Sequence, residues 1–304
     1  MASARLPANP SAAEFDALHD ALPDWRGAIE QLAQGLGDGP VLQRASGTVL
    51  VALLGTARVL KLYPPFLRDH FDFERAALAR LAGRLALPTP KLLQVGELNG
   101  WPWLLMTQLA GDPLTAAWDG LPEAQKCALL VSLGALAAQV HALPVADMAA
   151  RAPAWPDFLA DQRARCQARQ QRTGLPAHLL AQLDGFLAAG PLPQGPDVIL
   201  TGEYTPMNLL VQAGRLSGMF DFGDGLVGPR EYDWLGPLAF LAAGHAGRCR
   251  AYFDGYGAAP DAAGRLALMR LLLLHRYSHL PAQIAHPGWQ RAPSFEALTA
   301  LIWP

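Results

Sequence analysis

The residues best placed to act together lie between positions 199 and 224. Thr201, Gly202, Glu203 and Asn208 precede an apolar run at 209–211. Ala213, Gly214 and Arg215 follow, then a second run at 216–220 and the group Asp221, Phe222, Gly223 and Asp224. β-Favouring runs on both sides of a Gly-containing turn predict a hairpin. Closing it brings Asn208 beside Asp221. An amide oxygen next to a carboxylate is hard-oxygen ligation of the kind Mg²⁺ takes, with few protein ligands and several retained waters. Glu203, just upstream, faces the same cavity in this reading and is placed to act as a general base.

A second group lies upstream. Residues 41–54 read as two strands around Ala45, Ser46 and Gly47, residues 55–58 as a turn, and 59–63 as a third strand. A loop of small residues between strands presents backbone N–H groups that can cover phosphates. Ser46, Gly47 and Thr48 form a weak version of such a loop, which by itself is an ordinary hairpin turn. Lys61 sits between Leu60 and Leu62, one of only three lysines in a chain whose cations are nearly all Arg. Such a lysine either faces solvent or pairs with phosphate, held by a carboxylate from the following helix. That helix is predicted from Phe71 and ends near Gly83; it carries Glu74, with Asp72 as the lesser alternative.

These residues, in this order, resemble the aminoglycoside phosphotransferase family, relatives of choline kinases and, more distantly, of protein kinases. The family pattern is His-Gly-Asp, four residues, Asn, and then an Asp that opens a metal loop. Here Thr201, Gly202 and Glu203 stand at the first triplet, Asn208 at the Asn, and Asp221 to Asp224 at the loop. The spacing is kept, while Thr201 replaces the His and Glu203 the Asp. The resemblance implies an α+β, protein-kinase-like two-lobed fold, with a small antiparallel-sheet N-terminal lobe and a larger, mainly helical C-terminal lobe. It places the lobes at 1–108, including a helical extension at 1–40, and 109–304. It assigns Ser46, Gly47, Thr48 and Lys61 to nucleotide phosphates, Glu74 to the ion pair that aims Lys61, and Gln108 and Leu109 to the adenine edge. Asn208 and Asp221 become the Mg²⁺ ligands, Glu203 the catalytic base, and Asp233 a support for the catalytic loop. The implied activity is transfer of the γ-phosphate of ATP to a hydroxyl of a small molecule. Because Thr201 and Glu203 depart from the pattern, a nucleotide-binding homologue with weak or no transferase activity stands as the alternative. Nucleotidyl transfer and a non-enzymatic helical protein are lesser ones.

Composition is that of a globular, apolar chain rather than a disordered one. The 304 residues are 51% hydrophobic and 16% charged, with a formal net charge of −2. The absence of a basic cluster argues against a nucleic-acid polymer as partner. Cys127, Cys166 and Cys249 are scattered without metal-ligand spacing and read as thiols of a reducing compartment. With no signal-like N-terminal segment and no run long enough to span a bilayer, the expectation is a cytoplasmic protein without a membrane partner.

The remaining expectations concern elements. Ser11 and Glu14 form a capping-box pattern opening a helix that breaks at Pro23. Asn99 and Gly100 mark a hairpin turn, and Trp101 and Trp103 read as packing residues. The segment 121–141 reads as a buried helix ending at His141, whose imidazole is expected to bond a local carbonyl. Residues 158–173 read as an Arg- and Gln-rich solvated helix, 175–189 as one helix, and 265–279 as another. On the last, His275 and His279 stand four apart, within reach of one metal ion. The intervening Arg276, Tyr277 and Ser278 lack a metalloprotease glutamate, and chance spacing is the preferred reading.

Overall fold

The structure, a computed structural model, describes residues 6–20, 23–38, 41–45, 48–202 and 204–304. The chain divides into two compact units. Unit 1 takes Met1–Arg84, Pro88–Ala110 and Phe220–Asp224; unit 2 takes Leu85–Leu87, Gly111–Met219 and Gly225–Pro304.

Unit 1 begins with α1 (Ala12–Asp20) and α2 (Pro23–Gly35). The capping box forms: Ser11 N–H donates to the Glu14 carboxylate at 2.7 Å, and Glu14 N–H donates to Ser11 Oγ at 3.2 Å. Pro23 sits at the first position of α2, where its missing N–H has no helical partner to lose. The strands are β1 (Val41–Ala45), β2 (Leu50–Leu54) and β3 (Arg58–Leu62), followed by α3 (Arg68–Leu81), β4 (Leu92–Leu98) and β5 (Trp101–Thr107). They form one antiparallel sheet in the order β1-β2-β3-β5-β4. Asn99 and Gly100 turn β4 into β5 with φ of +52° and +86°, the left-handed pair that a two-residue hairpin loop needs.

Side chains alternate across a sheet. Leu50, Ala52, Leu54, Leu60, Leu62, Trp101, Trp103 and Leu105 share one buried cluster with Leu6, Phe15, Ala28, Ile29 and Ala33 of the N-terminal segment. The N-terminal helices therefore cover one face of the sheet. Both tryptophans are packing residues, and Trp101 Nε1 donates to the Pro7 carbonyl at 2.7 Å. Because Leu60 and Leu62 point into this cluster, Lys61 must emerge on the opposite face.

Unit 2 runs through β6 (Asp112–Pro113), α4 (Leu114–Ala117), α5 (Glu123–His141), α6 (Trp155–Arg172), α7 (Ala177–Leu180), α8 (Leu183–Ala188), β7 (Asp197–Leu200), β8 (Leu209–Gln212), β9 (Arg215–Met219) and β10 (Leu226–Pro229). It ends with α9 (Glu231–Phe240), α10 (Ala246–Tyr256), α11 (Ala262–Leu274), α12 (Leu280–Gln283) and α13 (Phe295–Ile302). The expected hairpin is β8–β9, turning at Ala213 and Gly214 with φ of +49° and +73° and pairing Leu209 with Met219. β6 pairs with β8, and β7 with β10. Among the described residues no single helix is long and apolar enough to cross a membrane.

Three element expectations need correction. The segment 175–189 forms two short helices, α7 and α8, rather than one. α6 is not simply a solvated helix: Gln162, Arg169 and Gln170 are buried. Arg169 and Gln170 donate to the Leu273 carbonyl at 3.2 and 3.0 Å, and Cys166 Sγ lies 3.3 Å from the same oxygen. Leu273 is in the last turn of α11, where the helix end is partially negative; the buried guanidinium faces that end. Finally, α11 stops at Leu274, so His275 and His279 do not share a helix face. His275 turns out of the helix and stacks on Tyr232 at 4.6 Å between ring centroids.

α5 and α10 approach so closely that glycine is required on both. A Cβ on Gly134 would lie 2.1 Å from the Tyr252 carbonyl oxygen, and one on Gly255 would lie 2.0 Å from that of Val131. Gly134→Ala gains helix propensity, but overpacking backbone against backbone costs more, about 2 kcal/mol. Thermal denaturation of Gly134→Ala should show a Tm several degrees below wild type.

Candidate active site

Unit 1 assembles a buried ionic cluster. Lys61 Nζ donates to Glu74 Oε2 at 2.6 Å and to Asp221 Oδ1 at 2.7 Å. Lys61 is the penultimate residue of β3, Glu74 comes from the inner face of α3, and Asp221 from the segment that follows β9. The Lys61 and Glu74 side chains are 7% and 1% exposed, whereas that of Asp221 is 39% exposed. The cluster thus opens at the Asp221 end. Asp72, the alternative partner, instead pairs with Arg68 and Arg75 at the surface.

Burial alone would push the Lys61 ammonium down, but the Asp221 and Glu74 carboxylates outweigh it and hold the ammonium well above its ordinary value. Burial pushes Glu74 up, and Lys61 offsets only part of that rise. Asp221 ends below the usual carboxylate range because Lys61 overcomes the desolvation that would raise it. At neutral pH the cluster is an ammonium held between two acidic groups.

Two residues outside the motif reading support it. Tyr63 is fully buried and donates its hydroxyl to Glu74 Oε2. His70, one turn before Glu74 on α3, places Nδ1 3.4 Å from Asp224 Oδ1. Gly223 packs between them: a Cβ there would meet Glu74 Oε2 at 3.3 Å and His70 Cβ at 3.7 Å. The sequence signals were present, since Tyr63 follows Lys61 at the strand period of two and His70 precedes Glu74 at the helix period. Asp221 itself has φ of +67°, a left-handed conformation uncommon for a side-chain-bearing residue.

In unit 2, Asp233 of α9 holds the segment that carries Thr201 and Gly202. Its carboxylate accepts from Thr201 N at 2.9 Å and Gly202 N at 2.8 Å, and Thr201 Oγ1 lies 3.4 Å away. Gly202 has φ of +70°. His141 does not bond a local carbonyl: Nε2 is 3.1 Å from Asp233 Oδ2, and Nδ1 is 2.9 Å from Tyr256 Oη. The side chain turns inward, where α10 supplies the Tyr256 phenol and α9 the Asp233 carboxylate. Asn208 ends the 3₁₀ turn Pro206–Asn208 immediately before β8 and is buried.

Thr48 is exposed at the turn before β2. Gln108 donates its backbone N–H to the Ala57 carbonyl at 2.9 Å, so that donor is already engaged; Leu109 follows it, half-buried. Ser46, Gly47 and Glu203 lie outside the described residues. Among the described residues no three His, Cys, Asp or Glu side chains gather in metal-binding geometry. Mg²⁺ takes one or two protein oxygens and keeps several waters. Asp221, with its exposed side and lowered basicity, has the right donor chemistry.

The sequence profile of the phosphotransferase enzyme family matches residues 40–269. The chain belongs to that family. Among curated proteins none matches the sequence closely. Solved structures do match in fold. The GDP complex of wild-type aminoglycoside 2'-phosphotransferase-IIIa superposes with a TM-score of 0.63 at 16% identity, covering 88% of this chain and 95% of that one. The streptomycin–ATP–APH(2'')-IIa ternary complex gives 0.61 at 17% identity, with 84% and 92% covered. The apoenzyme of a macrolide 2'-phosphotransferase from Brachybacterium faecium gives 0.55 at 21%, with 86% and 97% covered. The fold is α+β and protein-kinase-like, with a small antiparallel-sheet unit and a larger, mainly helical one.

Burial pushes the His275 imidazole down to about 3, with Arg276 and Arg169 adding to the effect. The unfolded chain takes up that proton below about pH 6.5, so the contribution of neutral His275 is present above this value and is lost as pH falls towards 3. Chemical denaturation from pH 7 to 5 should show a decline in wild type that His275→Phe, which keeps the stacked ring, makes shallower.

Proposed function

We propose that this chain transfers the γ-phosphate of ATP to a hydroxyl of a small molecule. The observation that carries the reading is the buried Lys61–Glu74 pair joined to Asp221. A charge this deeply buried is costly unless paired, and here the pair opens at one end only, towards the more exposed carboxylate. Phosphoryl transfer needs little covalent chemistry from the protein and depends on positioning and charge stabilisation.

In this reading Lys61 binds phosphate oxygens, and Ser46, Gly47 and Thr48 cover the phosphates with backbone N–H groups. With the Gln108 N–H engaged by Ala57, the adenine edge falls to the Gln108 carbonyl and the Leu109 amide. Asn208 and Asp221 would hold Mg²⁺, which, when bound, offsets charge on the phosphates. Glu203 orients the acceptor hydroxyl and takes its proton as the oxygen attacks the γ-phosphorus. The bond to the β-phosphate oxygen breaks, and ADP leaves. Asp233 keeps the Thr201–Gly202 backbone in place through its two amide bonds, with His141 and Tyr256 behind it. The aminoglycoside and macrolide phosphotransferases of similar fold favour a hydroxylated small-molecule acceptor. The three free thiols favour a reducing, cytoplasmic setting.

A second reading, a nucleotide-binding homologue without useful transfer, is favoured by Thr201 and Glu203. Glu is one methylene longer than Asp, and catalysis is sensitive to displacements of about 1 Å. Phosphate transfer across a panel of hydroxylated metabolites and antibiotics separates the two. An active enzyme should lose roughly 10²-fold or more in kcat on Glu203→Gln and keep measurable activity on Glu203→Asp. A protein that binds Mg-ATP with no dependence on this residue sinks the transferase reading. Lys61→Met should weaken Mg-ATP binding by about tenfold or more, read by calorimetry.

A further inference from the structure

Tyr63 belongs to the buried cluster but has no part in the phosphotransfer reading. Tyr63 follows β3 directly and lies two residues beyond Lys61, so both side chains fall on the same side of the sheet. Its backbone N–H is bonded to the Pro102 carbonyl at 2.9 Å, which fixes the residue as a continuation of the strand. Its ring packs edge-on against Phe71 of α3, with centroids 5.6 Å apart, and lies 5.5 Å from Lys61 Nζ. Its hydroxyl donates to Glu74 Oε2, the same oxygen that accepts from Lys61.

That shared oxygen matters because Lys61 is divided between two carboxylates. When a ligand competes for the ammonium, a glutamate held by the lysine alone is free to swing. A glutamate also held by a rigid, buried phenol is not. We infer that Tyr63 is a positioning residue: its hydroxyl fixes Glu74 independently of Lys61, so that Glu74 aims Lys61 at a nucleotide phosphate rather than following it. The phenol keeps its proton, since burial and the neighbouring Glu74 push its ionisation well up, and it therefore remains a donor. The inference rests on the reading of Lys61 as the phosphate-binding group.

The test uses the full chain with Mg-ATP as probe and the variants Tyr63→Phe, Glu74→Gln and the double variant. Phe keeps the ring, so packing against Phe71 is retained. Calorimetry should show Mg-ATP binding weakened about tenfold by Tyr63→Phe, in keeping with loss of a hydrogen bond to a charged group. On the Glu74→Gln background the same change should cost less than about twofold. Lysine-selective NMR supplies a readout that general destabilisation does not move. Lys61, Lys91 and Lys126 are the only lysines, and Tyr63→Phe should shift the Lys61 signal alone. Wild-type affinity in Tyr63→Phe, or an undiminished tenfold loss on the Glu74→Gln background, overturns the inference. So does a Tyr63→Phe protein without a cooperative thermal transition, because the hydroxyl would then be holding the fold. Failure of the wild-type protein to bind Mg-ATP is a different result: it removes the nucleotide reading first, and this inference with it.

Discussion

A buried ammonium held between two carboxylates constrains everything around it. Leu60 and Leu62 anchor β3 in the cluster beneath the N-terminal helices, which leaves Lys61 no orientation but the opposite face. There it would be an uncompensated buried charge without Glu74 and Asp221. α3 must therefore present its inner face to the strand, and the segment after β9 must bend back far enough to deliver Asp221. The positive φ of Asp221 and the tight seat of Gly223 against Glu74 and His70 are the local consequences of that bend.

The same physical device recurs in unit 2 with different partners. Asp233 gathers the amides of Thr201 and Gly202, and His141, itself held by Tyr256, engages Asp233 from behind. A loop cannot satisfy its own backbone donors as a helix does, so an ionised side chain on a rigid helix satisfies them instead. Arg169 on α6 inverts the arrangement: a buried cation faces the carbonyl end of α11 in place of a carboxylate. In each case a charged group from a helix fixes the end of another element, and the close α5–α10 contact made possible by Gly134 and Gly255 keeps one of these groups in register.

The short bond from position 201 to Asp233 uses the backbone, not the side chain. Position 201 contributes its backbone N–H to Asp233 whatever its side chain is. A threonine can keep the loop anchored while losing the imidazole of the family pattern, and its hydroxyl adds only a long contact to the same carboxylate. The anchoring of the segment therefore does not depend on an imidazole at position 201.

Much of the architecture was legible from sequence because local chemistry dictates it. The capping box at Ser11 and Glu14, the left-handed turn at Asn99 and Gly100, the β8–β9 hairpin and the order of Lys61, Glu74, Asn208 and Asp221 all depend on neighbours along the chain or on spacing. Helix ends were less legible: the apolar run of α11 continues in pattern towards His279, but the chain turns at His275 to stack on Tyr232. Partners across the fold were least legible. The strand and helix periods put Tyr63 on the side of Lys61 and His70 on the side of Glu74, but they do not name Glu74 and Asp224 as the partners. Nothing in the local sequence says that His141 faces inward or that the polar stripe of α6 is buried against the end of α11. By itself the sequence determined which groups are available and in what order they recur. Only the tertiary structure decided which of them share a hydrogen bond, because that choice is set by how closely sheets and helices pack, a property of the whole chain rather than of any one stretch.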